Sequence, residues 1–117
     1  MTPSRELSRG DIVLVHLEPT VGSEANKTRP AVIVSNDQAN SSSPVVTVVP
    51  LTSNTVHVYS FQVFLPRDET GLDQDSKAQA EQVRSLDRSQ VRRQLGELSA
   101  GRLRQLDAAL RLHLSLP

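Results

Sequence analysis

Short apolar runs alternate with polar tracts along the first two thirds of the chain, a pattern typical of a β protein with turns between its strands. Four such runs predict strands over residues 11–17, 30–36, 45–51 and 57–65. The tracts between them are rich in Gly, Pro, Asn and Ser and predict loops or turns over residues 18–29, 36–44, 52–56 and 66–76. The third run is nearly all apolar, so we expect that strand to be buried on both faces.

The last third of the chain carries a different pattern. Residues 77–86 fit a strand or a helix on pattern alone, and residues 91–96 predict a weaker strand. After Ser99, a residue type that caps helices, leucines recur at helical spacing, at Leu103, Leu106, Leu110 and Leu114. We expect the arginines that fall mostly off this stripe to be solvated, namely Arg102, Arg104 and Arg111. Short strands followed by one helix predict a small, mainly β barrel with a C-terminal α-helix.

Length and composition limit the classes of function. A chain of 117 residues suits one domain, which we place at 1–117. It has no cysteine, which excludes disulfides, thiol nucleophiles and most structural zinc sites. No apolar run approaches the roughly 20 residues of a membrane span, and the N-terminus has no apolar signal core. We therefore expect a cytoplasmic protein with no membrane partner.

Charge and aromatic content constrain any contact with nucleic acid. The 13 basic and 13 acidic side chains cancel, which argues against a broad electrostatic grip and allows a small site that contacts a few phosphates. The chain has no tryptophan, and its only tyrosine and two phenylalanines are Tyr59, Phe61 and Phe64. A wide stacking platform is therefore not expected, and recognition would depend more on hydrogen bonds to base edges.

The segment Lys27-Thr28-Arg29-Pro30 is the strongest candidate for chemistry. It follows a loop of small and polar residues and precedes the apolar run that begins at Ala31. Proline can open a strand but is excluded from the middle of a ladder, so Pro30 predicts where the loop ends. Arg29 would then sit at a rigid strand end, well suited to a phosphate, and the alternative is a salt bridge to Glu24 or Asp37.

Three blocks in order resemble the MazF/PemK toxin family over roughly residues 9–110. The first runs from Gly10 through the Arg29-Pro30 motif to Ser35, the second is Val48 to Ser53, and the third is Gly71-Leu72, Asp75-Ser76 and Gln82 to Arg84. The resemblance implies an SH3-like β-barrel of the PemK/CcdB type, with residues 77–86 as a strand. It also implies a homodimeric toxin, linked to growth regulation and stress response, that cuts single-stranded RNA and is silenced by an antitoxin.

The resemblance also implies roles for individual residues. Arg29 matches a catalytic arginine and Thr52 a catalytic threonine. A guanidinium is too weak an acid to exchange protons easily near neutral pH, so electrostatic stabilisation is the favoured role of Arg29. For Thr52, the alternative is a strand-end hydroxyl that bonds its own turn. Glu24 and Glu81 are possible catalytic or orienting groups, and RNA contacts are expected at Lys27, Ser53, Ser76 and Gln82.

The chain departs from some PemK-type relatives at two places. Ser23 stands where they carry a histidine, and Gln79-Ala80-Glu81 stands where they carry Arg-Cys-Asp. An acid–base scheme that uses histidine and aspartate therefore does not transfer. The three histidines lack metal-ligand spacing, and we expect no metal and no cofactor: His16 is expected to be structural, His57 to line the groove and His113 to be solvated.

These observations together predict a sequence-specific, metal-independent mRNA endoribonuclease that leaves 2′,3′-cyclic phosphate and 5′-hydroxyl ends and does not cleave DNA. Its antitoxin would be MazE-like, with a disordered acidic C-terminal tail that covers Arg29. One alternative is a non-catalytic protein-binding toxin of the same fold, of the gyrase-poison type, which would depend on the C-terminal helix. Another is a degenerate toxin that has lost cleavage through the changes at Ser23 and at the missing aspartate.

Overall fold

The computed structural model describes residues 6–17 and 27–117. Its strands are β1 Asp11–Leu17, β2 Lys27–Ile33, β3 Val45–Thr52, β4 Gln62–Leu65, β5 Ser76–Gln79, β6 Arg84–Asp87 and β7 Val91–Glu97. Its α-helices are α1 Asp37–Ser42, α2 Arg67–Thr70 and α3 Ala100–Leu114, and 3₁₀ turns span Ala80–Gln82 and Arg88–Gln90.

The strands form one antiparallel sheet in which β3 is the centre. The order is β4-β5-β3-β2-β1-β7, and β6 also pairs with β3. One edge of β3 pairs with β2, while the other edge pairs first with β6 and then with β5. The expected mainly β fold with a C-terminal helix is confirmed.

Alternation along β3 builds two hydrophobic clusters on opposite faces of the sheet. Val46 and Val48 belong to one cluster, and Val49 and Leu51 belong to the other. The second cluster is covered by Leu106 of α3, which is fully buried. The expectation that this strand is buried on both faces is therefore confirmed, and both faces of β3 hold its C-terminal end in place.

The position of Pro30 differs from the prediction. It lies inside β2 opposite Leu14, because the strand begins three residues earlier than expected, at Lys27. The reason is that β3 pairs with β2 only from Ala31 onward, so the first half of β2 has a partner on one side alone. A proline is tolerated at such an unpaired edge. Arg29 therefore lies inside an ordered strand and not at the beginning of that strand.

The single strand expected over residues 77–86 is interrupted. Between the pairs Leu51↔Ala78 and Val48↔Arg84, β3 advances three residues while its partner advances six. The excess residues form the 3₁₀ turn Ala80–Gln82, which divides the segment into β5 and β6. This step places Gln79 and Gln82 beside the end of β2, as described below.

Two other segments also differ from the prediction. The strand expected over residues 57–65 is limited to β4, since the four-residue β5 can pair with only four residues of it. The loop expected over residues 36–44 contains α1, which Asn36 caps by accepting a hydrogen bond from the Ala39 N–H at 2.8 Å. An Asn- and Ser-rich tract has no apolar period, so periodicity gave no sign of this helix.

The C-terminal helix begins as predicted. The Ser99 hydroxyl accepts a hydrogen bond from the Arg102 N–H at 3.2 Å. Arg102 is not simply solvated as expected, because its guanidinium binds both carboxylate oxygens of Glu69 at 3.0 and 3.2 Å. These hydrogen bonds lower the pKa of the Glu69 carboxyl and link α3 to α2. In the described part of the chain, no helix is long and apolar enough to cross a membrane.

A close backbone approach positions the segment that follows α2. Gly71 ends α2 with a φ of +79°, a left-handed conformation that favours glycine. Gly96 of β7 lies so near α2 that an added Cβ would be 2.2 Å from the Thr70 carbonyl oxygen. Strand β7 therefore supports α2 and, through it, the residues from Leu72 to Gln74 that line the candidate site.

Gly96→Ala should destabilise the protein, because a methyl group at this position must displace backbone. We expect the free energy of unfolding to fall by about 1–3 kcal/mol, as for other overpacked positions. The matched control is Gly101→Ala in α3, where the nearest atom to an added Cβ is 3.9 Å away. Helix propensity predicts no loss, or a gain of up to about 1 kcal/mol, for the control. Urea unfolding followed by circular dichroism measures both, and equal stabilities would contradict the account.

Candidate active site

Arg29 is the residue around which the candidate site is built. It is half-buried in β2 opposite Val15, and it is a lining residue of two separate cavities. Among residues 6–17 and 27–117, no carboxylate forms an ion pair with it. A guanidinium in this position is available to an anionic ligand.

The alternative partner Asp37 is engaged elsewhere. Its carboxylate accepts hydrogen bonds from the Arg9 backbone N–H at 2.7 Å and from the Asn40 side chain at 3.1 Å. These two bonds lower the pKa of the Asp37 carboxyl. The predicted alternative of an Arg29–Asp37 salt bridge is therefore wrong. The other alternative partner, Glu24, lies outside the described residues.

The first cavity, which we call the Thr52 basin, has a volume of about 310 Å³. Its walls come from the middle of β2, the end of β3, the segment after α2 and the start of β5. The lining residues are Arg29, Pro30, Leu51, Thr52, Ser53, Leu72, Asp73, Gln74 and Ser76. Three of the predicted site residues thus join Arg29 in one place, although they lie more than twenty positions from it in sequence.

Thr52 is the last residue of β3, held by pairing with Lys77 of β5. Its Oγ1 accepts a hydrogen bond from the Asn54 N–H at 3.2 Å, which is the turn contact given above as the alternative reading. A hydroxyl that accepts one hydrogen bond still carries its own proton. The turn therefore orients Thr52 and leaves it able to donate to a ligand in the basin.

The second cavity, which we call the Arg84 basin, has a volume of about 250 Å³. Its lining combines two guanidinium groups and two amides with apolar contacts, and among the described residues it includes no carboxylate. The residues are Leu17, Arg29, Pro50, Gln79, Gln82 and Arg84. Guanidinium groups suit phosphate oxygens, and amides offer both donors and acceptors to base edges.

Because Arg29 lines both basins, it forms their common wall. A linear polyanion that crosses this wall would place one bridging phosphate at Arg29 and its neighbouring nucleotides in the two basins. The Thr52 hydroxyl lies on one side of the wall, and Arg84 lies on the other. This arrangement fits stabilisation of negative charge on a phosphodiester.

The other predicted site residues take different positions. Ser53 lines the Thr52 basin, and Gln82 lines the Arg84 basin. Ser76 reaches the Thr52 basin but is only 4% exposed, and its hydroxyl donates to the Gln74 carbonyl at 3.3 Å. Lys27 begins β2, although its side chain is outside the described part of the structure.

Glu81 lines neither basin. Its Oε2 accepts a hydrogen bond from the Gln62 side chain at 2.8 Å. Its Oε1 is buried and has no hydrogen-bond partner within the described residues. This geometry suits a group that orients the 3₁₀ turn next to Gln82 more than one that exchanges a proton with a ligand at Arg29.

Sequence reasoning missed Arg84, Gln79 and Lys77. Arg84 follows Gln82 by two positions, and that spacing on an extended segment was the available signal. Lys77 gave no such signal, since its surroundings depend on pairing between β3, β4 and β5. Lys77 is buried opposite Thr52, its ammonium donates to the His57 carbonyl at 2.5 Å, and it lies 5.7 Å from the Tyr59 ring.

The histidines take separate places. His57 is not among the residues that line the two basins, and its expected place in the groove stays a prediction. His113 is exposed on α3, as predicted. Within the described ranges, no group of three or more His, Cys, Asp or Glu side chains is arranged to hold a metal ion.

The part of the chain that matches known proteins includes the residues of both basins. The model of the family described as PemK-like, MazF-like toxin of type II toxin–antitoxin system matches residues 8–114. The chain is 53% identical over 115 residues to endoribonuclease MazF9 of Mycobacterium tuberculosis (strain ATCC 25618 / H37Rv), which covers 94% of this chain and 98% of that protein.

Solved structures support the same fold. The crystal structure of MazE-MazF (Form-II) from Deinococcus radiodurans matches with a TM-score of 0.81 and 28% identity, and covers 97% of this chain and 100% of that one. A mycobacterial endoribonuclease in complex with its cognate antitoxin matches in fold, with a TM-score of 0.74, 22% identity and 96% coverage of each chain. These matches confirm the expected fold class.

Proposed function

Because this chain belongs to the PemK-like, MazF-like toxins of type II toxin–antitoxin systems, we propose that it cleaves single-stranded RNA at the wall between the Thr52 and Arg84 basins. The observation that carries the proposal is that Arg29 lines both basins while Thr52 lines one of them. The relative that is 53% identical to this chain is named an endoribonuclease, and that name agrees with the chemistry proposed for the site.

The proposed reaction is an internal transfer at phosphorus. The ribose 2′-oxygen passes its proton to solvent water and bonds to the phosphorus, while the bond to the 5′-oxygen breaks and that oxygen takes a proton from water. The products are a 2′,3′-cyclic phosphate and a 5′-hydroxyl end. Negative charge grows on the phosphoryl oxygens between these events, so fixed donors aimed at them lower the barrier.

Each of the two central residues has one role in this scheme. The Arg29 guanidinium stabilises the developing charge, since it stays protonated near neutral pH. The Thr52 hydroxyl donates to a phosphoryl oxygen while its turn contact with Asn54 holds it in place. The scheme uses guanidinium and hydroxyl groups of the protein and requires no metal or cofactor.

The remaining candidates act around this centre. We assign Glu24 to orientation of Arg29 or contact with a base, since a carboxylate beside the scissile phosphate would oppose its charge. Glu81 acts as an orienting residue through Gln62. Lys27 and Arg84 contact flanking phosphates, and Ser53, Ser76 and Gln82 contact bases, which gives cleavage at a defined sequence.

The toxin would act as one domain, residues 1–117, in the bacterial cytoplasm. Two copies in a symmetric homodimer would join their basins into a longer RNA groove. An antitoxin with an acidic, disordered tail would compete with RNA for the same surface. The two arginines that line the Arg84 basin fit such a tail. The non-catalytic alternative does not require Arg29 and Thr52 to share a basin, and the structure brings them together.

Arg29→Ala should abolish cleavage of single-stranded RNA, because it removes the charged residue that lines both basins. Losing one preorganised donor costs about 10²–10³-fold in rate, and losing a full charge should cost at least that much. The assay is cleavage of a long RNA in buffer with EDTA. The control is Arg92→Ala, which removes an exposed arginine of β7 that lines neither basin and should leave the rate unchanged. Full activity in a folded Arg29→Ala protein would exclude the mechanism.

Thr52→Ala should lower kcat about 10²-fold with a smaller change in KM, since the hydroxyl acts chiefly in the transition state. Thr52→Ser keeps both the donor and the turn contact and should remain close to the wild type. Steady-state kinetics on one RNA substrate separates the two variants. Unchanged kcat in Thr52→Ala would remove this hydroxyl from the reaction.

A further inference from the structure

Four ring side chains form a continuous line on one side of the molecule, which we call the aromatic row. The ring centroids of His57 and Tyr59 lie 6.1 Å apart, those of Tyr59 and Phe61 5.5 Å apart, and those of Phe61 and His113 6.5 Å apart. The Tyr59 and Phe61 rings are nearly parallel, at 4°. The row therefore runs from the segment between β3 and β4 to the helix α3.

Much of the row faces solvent. Tyr59 is 54% exposed, and His57 is also exposed. Residues 53–61, which carry three of the four rings, contain no aspartate or glutamate. A surface of open ring faces without negative charge differs from an ordinary solvated loop.

The segment that carries three rings of the row begins at the Thr52 basin. Ser53, the first residue of the segment, lines that basin, and Lys77 lies opposite Thr52 in the β3–β5 pairing. The buried Lys77 ammonium donates to the His57 carbonyl and lies beside the Tyr59 ring. Lys77 thus fixes the first half of the row relative to the strand end that supplies Thr52, and such preorganisation lowers the entropy lost on binding.

The rings beside Tyr59 indicate which of its two faces a base can use. The Phe61 ring centroid lies 5.5 Å from that of Tyr59, and the His57 ring centroid lies farther away, at 6.1 Å. The His57 and Tyr59 rings are 29° from parallel, in contrast to the closed Tyr59–Phe61 pair. The His57 side of Tyr59 is therefore the more open face for an incoming base.

We propose that the aromatic row is a second RNA contact, in which an unpaired base flanking the cut site stacks on Tyr59 from the His57 side. This inference rests on the proposed function, because it takes the RNA strand to pass through the Thr52 basin first. The low aromatic content of the chain excludes a wide surface for base stacking. The fold nevertheless brings Tyr59 and Phe61 next to two histidines, and these four rings form a narrow stacking surface. Base stacking on aromatic side chains tolerates many sequences, so the row would add affinity and leave the choice of cut site to the basins.

The chain offers a direct probe of this contact. Tyr59 is its only tyrosine and it has no tryptophan, so the intrinsic fluorescence of the protein reports on this ring alone. Wild-type protein is titrated with an end-labelled, unstructured 2′-O-methyl RNA of about 12 nucleotides, within the range that single-strand sites span. The 2′-O-methyl group blocks the proposed attack, so binding is measured without cleavage. Anisotropy of the label reports binding, and tyrosine emission reports stacking.

We expect tyrosine emission to fall in step with binding. Tyr59→Ala should weaken binding about 5- to 150-fold, the range measured for one stacked base, and leave the salt dependence unchanged because no phosphate contact is lost. Arg84→Ala should instead reduce the salt dependence. Tyr59→Phe keeps the ring and should retain affinity. The matched control Val56→Ala alters the most exposed apolar side chain of the same segment, 82% exposed, and should bind like the wild type.

The opposite results separate this inference from the proposed function. RNA binding without a change in tyrosine emission, or no binding by the wild type, would overturn the stacking contact even if natural RNA is cleaved. If tyrosine emission changes with protein concentration and RNA causes no further change, the row would instead be a contact between copies of the chain. If RNA quenches the tyrosine emission but the protein cleaves no RNA, the stacking contact would be supported and the proposed nuclease activity would be contradicted.

Discussion

The candidate site depends on one half-buried arginine that is held by a strand and lines two cavities. Arg29 keeps this position because β2 is paired with β1 along its first half, while the side that faces the basins has no strand until Ala31. Pro30 fits the unpaired edge, so the sequence that opens the basins also fixes the arginine beside them. With no carboxylate partner among the described residues, the charge remains available to a phosphate.

Much of this arrangement could be predicted from the sequence, because it follows from local pattern. The apolar run of β3 indicated a strand buried on both faces, and Thr52 at its end was a candidate for that reason. The leucine stripe and Ser99 indicated α3. Arg29 was recognised from its motif, and the structure brings it to Thr52 across 23 positions of sequence, which no local pattern specifies.

What the sequence did not reveal depends on the lengths of paired segments. Between Ala78 and Arg84 the chain advances six residues while β3 advances only three, and the extra residues form the 3₁₀ turn between β5 and β6. This turn places Gln79 and Arg84 in the same cavity as Arg29. Residues 57–61 belong to the run that predicted a strand over 57–65, but the short β5 offers no partner for them. The ring centroids of Phe61 and of His113 on α3 lie 6.5 Å apart instead. The Lys77 contacts with His57 and Tyr59 depend on the alignment of β3, β5 and β4, which no local pattern specifies.

The most direct test of the central claim is the chemistry of the RNA ends. A purified wild-type protein is incubated with a long unstructured RNA in EDTA, and the new ends are mapped and identified. If Arg29 and Thr52 stabilise attack by the neighbouring 2′-oxygen, every cut leaves a 2′,3′-cyclic phosphate and a 5′-hydroxyl at a recurring sequence. Cuts that leave a 3′-hydroxyl and a 5′-phosphate would mean that water or another nucleophile attacks from outside the strand, and would contradict the account.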